Sequence, residues 1–224
     1  MTLRSLSALL GYPSAELLAH AREIGAALDA EAALPRAARR RLGPLIDSLA
    51  AGELLDLQAV YSDLFDRSRT LSLHLFEHVH GDSRERGPAM IDLAQTYEKA
   101  GLFLAEGEMP DFLPVVLEFT STQPPREARE FLAEMAHIFN AIFAALQKRG
   151  SAYACVLGAL LELAGEKAQP VQIAAEEPLD AVWQEPVVFD GCSSKGQAKP
   201  DQPQPIHIVP NPLRKARPAQ GVQA

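Results

Sequence analysis

The chain has 224 residues, a net charge of −8 and two cysteines, Cys155 and Cys192, too few thiols for a disulfide framework or a four-thiolate zinc site. Ala (36) and Leu (31) make up 30% of it, while Val, Ile and Thr together number 24, which excludes a sandwich, barrel or wide sheet and leaves an all-α protein. A hydrophobic content of 47% excludes wholesale disorder, and the longest mostly apolar stretch, 136–146, is far short of the roughly 18 residues of a membrane span.

In chain order, Thr2 is expected to cap a short helix carrying Leu3, Leu6, Leu9 and Leu10, ended by Gly11 and Pro13. A weak apolar patch with one Arg and this immediate stop does not read as a signal peptide, so a cytoplasmic protein without stable membrane insertion is expected. Ser14 caps a second helix, with Leu17, Leu18, Ala21, Ile24 and Leu28 on one face. Pro35 suits the first turn of a third, with Leu42, Leu45, Ile46 and Leu49 inward and Arg39, Arg40 and Arg41 on a solvated face. The fourth carries Leu57, Val60, Tyr61, Leu64 and Phe65 at core-facing spacing. Pro88 opens a helix to Gly101 with Met90, Leu93, Ala94 and Tyr97 inward, and Asp111 caps a shorter one through Phe119. After Pro124-Pro125 runs the longest stripe, from Ala128 through Phe131, Leu132, Met135, Phe139, Ile142 and Phe143 to Leu146. Ser151 caps a last helix with Tyr153, Val156, Leu157, Leu160 and Leu161 inward, where Cys155 reads as a small apolar core residue.

The end of the chain is different. Residues 191–224 hold six of the 17 prolines and five cations against Asp201, a net of +4, which leaves −12 for the first 190. The expected organisation is therefore one helical domain over 1–190 and a flexible, Pro-rich basic tail over 191–224. So acidic a body is a poor nucleic-acid binder and an attractive one for basic partners.

One segment breaks the helical pattern. In 70–81 (TLSLHLFEHVHG) Leu71, Leu73 and Leu75 alternate with polar residues, and His74, Glu77, His78, His80, Asp82, Arg84, Glu85 and Arg86 crowd the stretch from Leu73 to Arg86. A connection with this chemistry is where function concentrates. His74, Glu77 and His78 match an H-x-x-E-H pattern, in which two His on one helix face bind zinc and the Glu serves as general base. The strand-like alternation opposes the helix which that chemistry needs, and no third ligand is evident. The plainer reading of His78 and His80 is that they hydrogen-bond to acidic side chains or backbone carbonyls and hold the loop in shape. Alternation with Leu73 and Leu75 points His74 to the opposite face, where it is expected to matter less than His78.

The runs Tyr61-Ser-Asp-Leu64-Phe65-Asp66-Arg67, Ser72-Leu-His-Leu-Phe76-Glu77-His78-Val79-His80-Gly81 and Arg84-Glu-Arg86-Gly87-Pro-Ala-Met90 resemble the nitrate reductase molybdenum-cofactor assembly chaperones. These are the NarJ-type branch of the TorD-like redox-enzyme maturation chaperones. Leu10-Gly-Tyr12-Pro13, Asp92, Tyr97, Glu108-Met-Pro110-Asp111 and Leu179-Asp-Ala-Val-Trp183 extend the likeness over roughly 6–190. One departure is clear: the wider family often shows Pro-Asp-His, and Phe112 stands here where that His would be.

The resemblance implies an all-helical, single-domain chaperone bundle with no catalytic activity, no metal and no cofactor of its own. Its partner would be the N-terminal peptide of the apo catalytic subunit of respiratory nitrate reductase, which is kept competent for molybdenum cofactor insertion and held back from the membrane. Molybdenum cofactor biosynthesis proteins would be further partners. On this reading Tyr61, Leu64, Phe65, Phe76, Tyr97 and Phe112 are candidate groove positions, and Asp66, Glu77, Asp92, Glu108 and Asp111 would meet the client's cations. His78, His80, Arg84 and Arg86 complete the candidate client-binding set. The alternatives are a metal-dependent hydrolase built on His74, Glu77 and His78, and a generic helical adaptor.

Overall fold

A computed structural model describes residues 1–81 and 83–171; Asp82, the 179–183 run, the expected boundary at 190 and the tail lie outside the described residues. The described residues form ten helices: α1 (Thr2–Leu10), α2 (Ala15–Glu31), α3 (Arg36–Ala51), α4 (Leu54–Phe65), α5 (Leu75–Val79), α6 (Arg86–Lys99), α7 (Leu113–Thr122), α8 (Pro125–Glu134), α9 (Ala136–Lys148) and α10 (Ala154–Ala164). One 3-10 turn, Arg69–Leu71, precedes α5, and no strand longer than a single bridge occurs among the described residues.

The bundle is built around α10. Ala154, Val156, Leu157, Ala159, Leu160, Leu161 and Ala164 are all buried, so this helix is apolar on nearly every side, with Glu162 its one charged residue, as suits a central helix. It packs on α9, α8 and α3, while α1 packs on α7 and α2, and α2 on α3. Leu6, Leu9 and Leu10 of α1 are fully buried, and the Ser7 hydroxyl donates to the Pro114 carbonyl at 2.8 Å. Cys155 sits at the edge of this core, where burial pushes its thiol up to about 12.

The helix starts are legible in part. The Ser14 hydroxyl accepts from the Leu17 N–H at 3.1 Å, the expected cap of α2. Thr2 is not a cap: it is the first residue of α1, and its hydroxyl donates to the Glu31 carboxylate at 2.7 Å, which draws that carboxyl below its usual range. Pro35 stands one residue before α3 rather than inside its first turn. Of the expected α4 face, Tyr61, Leu64 and Phe65 are buried, whereas Val60 is exposed.

Two expectations are corrected. The stripe from Ala128 to Leu146 is two helices, α8 and α9, broken at Met135 (φ −91°, ψ −1°). Asn140 is buried, a position that one continuous helix would have faced away from the apolar stripe. Asn140 then clasps the backbone of Gln169, donating to its carbonyl at 3.0 Å and accepting from its N–H at 2.8 Å. The inward face of α6 is also thinner than its pattern suggests: Tyr97 alone is buried, and Met90, Leu93 and Ala94 are half-buried.

Candidate functional site

The irregular segment after α4 is extended, then helical. Leu71, Leu73 and Leu75 are all buried, as the alternation requires, and the extended part makes one antiparallel bridge, His74 to Phe112. Two backbone bonds flank that pair: the Leu113 N–H donates to the Leu73 carbonyl at 2.8 Å, and the Leu75 N–H to the Asp111 carbonyl at 3.0 Å. The chain then closes into α5, barely more than one turn.

Asp111 is the hub. Its side chain is fully buried. It accepts from the Phe76 N–H through Oδ2 and from His74 Nδ1 through Oδ1, both at 3.2 Å, while an Arg86 guanidinium nitrogen lies 3.8 Å from Oδ2. The same Arg86 nitrogen is 3.3 Å from Glu77 Oε1. Three segments thus meet at one carboxylate: the 72–80 connection, the start of α6, and the stretch leading into α7. A buried carboxylate with this much hydrogen bonding costs far less than a bare one, and it ties its donors together. The Asp111 hydrogen bond, helped by the charges of Asp111 and Glu77, raises the His74 imidazole above its ordinary value of 6.5 against the opposing effects of burial and Arg86.

His78 and His80 also contact the loop itself. His78 Nε2 donates to the Ser72 carbonyl at 2.8 Å, which is the plainer role expected of it. The His80 ring packs edge-on against Phe76 at 5.4 Å. At the other end of α6 the Tyr97 hydroxyl donates to the Pro110 carbonyl at 2.8 Å, next to Asp111, and its ring lies 4.7 Å from Phe119. Burial, with the Asp111 charge beside it, pushes that phenol upward.

The structure therefore brings together Phe76, Glu77, His78, His80, Arg86, Tyr97, Asp111 and Phe112. Others lie elsewhere. Tyr61, Leu64 and Phe65 face the core rather than an open groove, Tyr61 and Phe65 within 4.7 Å of each other and both against Tyr153. Asp66 is an exposed residue at the end of α4, Arg84 an exposed turn residue, and Asp92 an exposed position on α6. Glu108 accepts from the Ala105 N–H at 3.0 Å and holds its own turn. Asp111 does not cap α7, since Phe112 occupies that position, and its buried carboxylate faces His74, Phe76 and Arg86 instead of solvent.

His74 belongs to this cluster as well. The alternation does point it away from Leu73 and Leu75, but that face is where Asp111 lies. It also precedes α5 rather than forming part of it, so the helical H-x-x-E-H arrangement is not made: His74 pairs with Asp111 and His78 with a carbonyl. No group of three or more His, Cys, Asp or Glu arranged to hold a metal occurs among the described residues.

Around the cluster, α5, α6 and the connection before α7 expose Val79, Ile91, Phe103 and Met109, large apolar side chains on the segments tied through Asp111 and Tyr97. A separate cleft of about 940 Å³ between α3, α9 and α10, lined by Arg40, Arg41, Phe143 and Cys155 among others, contains none of the candidate residues. No helix among the described residues is long and apolar enough to cross a membrane.

Comparison with known proteins places this arrangement. The model of the family described as nitrate reductase delta subunit matches residues 31–157, which contain α3 to α9 and the whole Asp111 cluster. The nitrate reductase molybdenum cofactor assembly chaperone NarJ of Escherichia coli K12 is 43% identical over 190 residues, covering 80% of each chain. The nitrate reductase-like protein NarX of Mycobacterium tuberculosis CDC 1551 is 35% identical over 154 residues, 69% of this chain and 23% of that one. In three dimensions the chain is similar to a redox enzyme maturation protein from Archaeoglobus fulgidus, with a TM-score of 0.51 and 22% identity over 73% of this chain and 92% of that one. That likeness is one of fold. With more than half of the sequence matched by the family model and NarJ aligned over four-fifths of both chains, this protein belongs to the nitrate reductase delta subunit family, NarJ-type assembly chaperones among its members.

Proposed function

We propose that the protein is an assembly chaperone for a respiratory nitrate reductase, acting in the cytoplasm and not as an enzyme. It binds the N-terminal segment of the apo catalytic subunit, keeps it competent to receive the molybdenum cofactor, and delays its docking on the membrane partner. The 43% identity with NarJ over 80% of both chains carries the reading. The cofactor is cargo for the client, delivered with the help of its biosynthesis proteins.

The geometry supports a peptide-binding role for the segments joined at Asp111. A leader with a few cations ahead of an amphipathic helix needs an apolar surface edged with acid. The half-buried Phe76, Met90 and Leu93 and the exposed Ile91 offer the first; Glu77, Glu85, Asp92 and Glu98 offer the second. Burying about 500 Å² of apolar surface at ~25 cal/mol/Å² gives ~12 kcal/mol before association and ordering costs, enough for micromolar to nanomolar affinity. Titration calorimetry with roughly the first 20 residues of the client subunit, about five helical turns, tests the reading. Saturable binding at one per chain is expected; absence of binding to this peptide, with retained binding elsewhere on the subunit, would move the client site.

A further inference from the structure

Residues 74 and 112 oppose each other across the antiparallel bridge, their rings 5.3 Å apart. Paired residues on a bridge project to the same face, so either one can bring a side chain beside Asp111, which precedes Phe112 in sequence and is hydrogen-bonded to His74. The Asp111 carboxylate is fully buried, and His74 is the side chain that completes Oδ1 while the Phe76 N–H completes Oδ2.

We propose that His74 is a positioning residue of the client-binding loop, acting through Asp111, and that positions 74 and 112 are interchangeable suppliers of the imidazole. With His74 in place the carboxylate is held square to the Phe76 N–H, and Arg86 stays shared with Glu77 at 3.3 Å. Without an imidazole, Oδ1 is a buried acceptor with no donor. The carboxylate then turns toward Arg86, now 3.8 Å away, releases the Phe76 N–H and strips Glu77 of its partner. The start of α5 loosens, and Phe76 and Glu77 leave the positions in which they would meet a client. The inference rests on the client-binding role proposed for this loop.

The test uses the full chain as wild type, His74→Leu, His74→Asn and the double variant His74→Leu/Phe112→His. Asn places an amide donor near the position of Nδ1 and does not titrate; the double variant returns the imidazole from across the bridge. Two quantities are read: affinity for the N-terminal peptide of the nitrate reductase catalytic subunit, and hydrogen exchange at the Phe76 amide. His74→Leu should bind about tenfold more weakly and exchange at Phe76 about tenfold faster, as expected for the loss of one charge-assisted hydrogen bond. His74→Asn should return to within about threefold of wild type in both quantities, and the double variant should do so in exchange at Phe76, the readout that does not depend on Phe112 touching the client. Equal binding and equal exchange in His74→Leu overturn the proposal, as does a double variant whose Phe76 amide exchanges as fast as that of His74→Leu. If His74→Leu does not fold, a folded double variant with a protected Phe76 amide supports the proposal and an unfolded one overturns it. If the wild type binds no peptide, the client reading fails, and exchange at Phe76 still decides the positioning role.

Discussion

Asp111 is a single side chain claimed by two hydrogen-bond donors and a more distant guanidinium, and the strength of each claim can be measured separately. His78 offers the simplest case beside it, because its one bond, 2.8 Å to the Ser72 carbonyl, joins the two ends of the loop. His78→Ala leaves a buried carbonyl without its donor and should lower the unfolding free energy by ~1–2 kcal/mol in urea titration. His74 responds to pH. Its pKa is raised in the fold, chiefly by the Asp111 hydrogen bond, so its contribution is complete below the ordinary value of 6.5 and fades as pH rises through the raised value. The urea midpoint of the wild type should therefore fall over this interval relative to His74→Asn; parallel profiles would show that His74 does not titrate differently in the folded chain. In the sequence, the crowd of ionisable residues from His74 to Arg86 marked the place. The identity of the hub was not legible there, since Asp111 is 37 residues away from His74 and looks like an ordinary helix cap.

Among the elements, α6 is tethered at its two ends. Arg86 fastens the first turn to Glu77 and Asp111, and Tyr97 fastens the last through Pro110 and Phe119. Between them the helix touches the body only through half-buried residues. Tyr97→Phe removes the hydroxyl's bond and should cost ~1 kcal/mol; Tyr97→Ala also removes a buried ring and should cost ~3 kcal/mol. In both variants hydrogen exchange should accelerate in α6 while α9 and α10 keep their protection. Uniform acceleration throughout the chain would mean that α6 belongs to the same cooperative unit as the core. Periodicity located this helix but overstated its burial, because a pattern counts apolar residues and does not say what lies opposite them. The α8–α9 break escaped for a related reason: no Gly or Pro marks Met135, and the apolar spacing continues through it. Asn140, which clasps the backbone of Gln169, shows the tertiary contacts that the pattern leaves out.

For the whole molecule, charge and apolar surface have distinct parts. The first 190 residues carry −12, a long-range field that favours a basic partner, while the client contact proposed above is apolar. Raising salt from about 50 to about 500 mM should slow association of the client peptide yet cost under ~2 kcal/mol of affinity, measured by stopped flow and calorimetry. A loss of several orders of magnitude would mean that ionic contacts dominate. The all-helical class was readable from the scarcity of β-branched residues, and most helix positions from Pro, Gly and the Ser14 cap. Which helix is central was not, although α10 shows it in retrospect by lacking a polar face. Helix α1 has a consequence for synthesis. Its fully buried leucines rest on α7, whose Pro114 carbonyl also receives the Ser7 hydroxyl, so this surface stays uncovered until more than a hundred further residues have been translated. At about 5–20 residues per second that interval is roughly 5 to 20 seconds. Helix α1 therefore waits for a partner made much later, and slowing translation between α2 and α7 would lengthen that exposure.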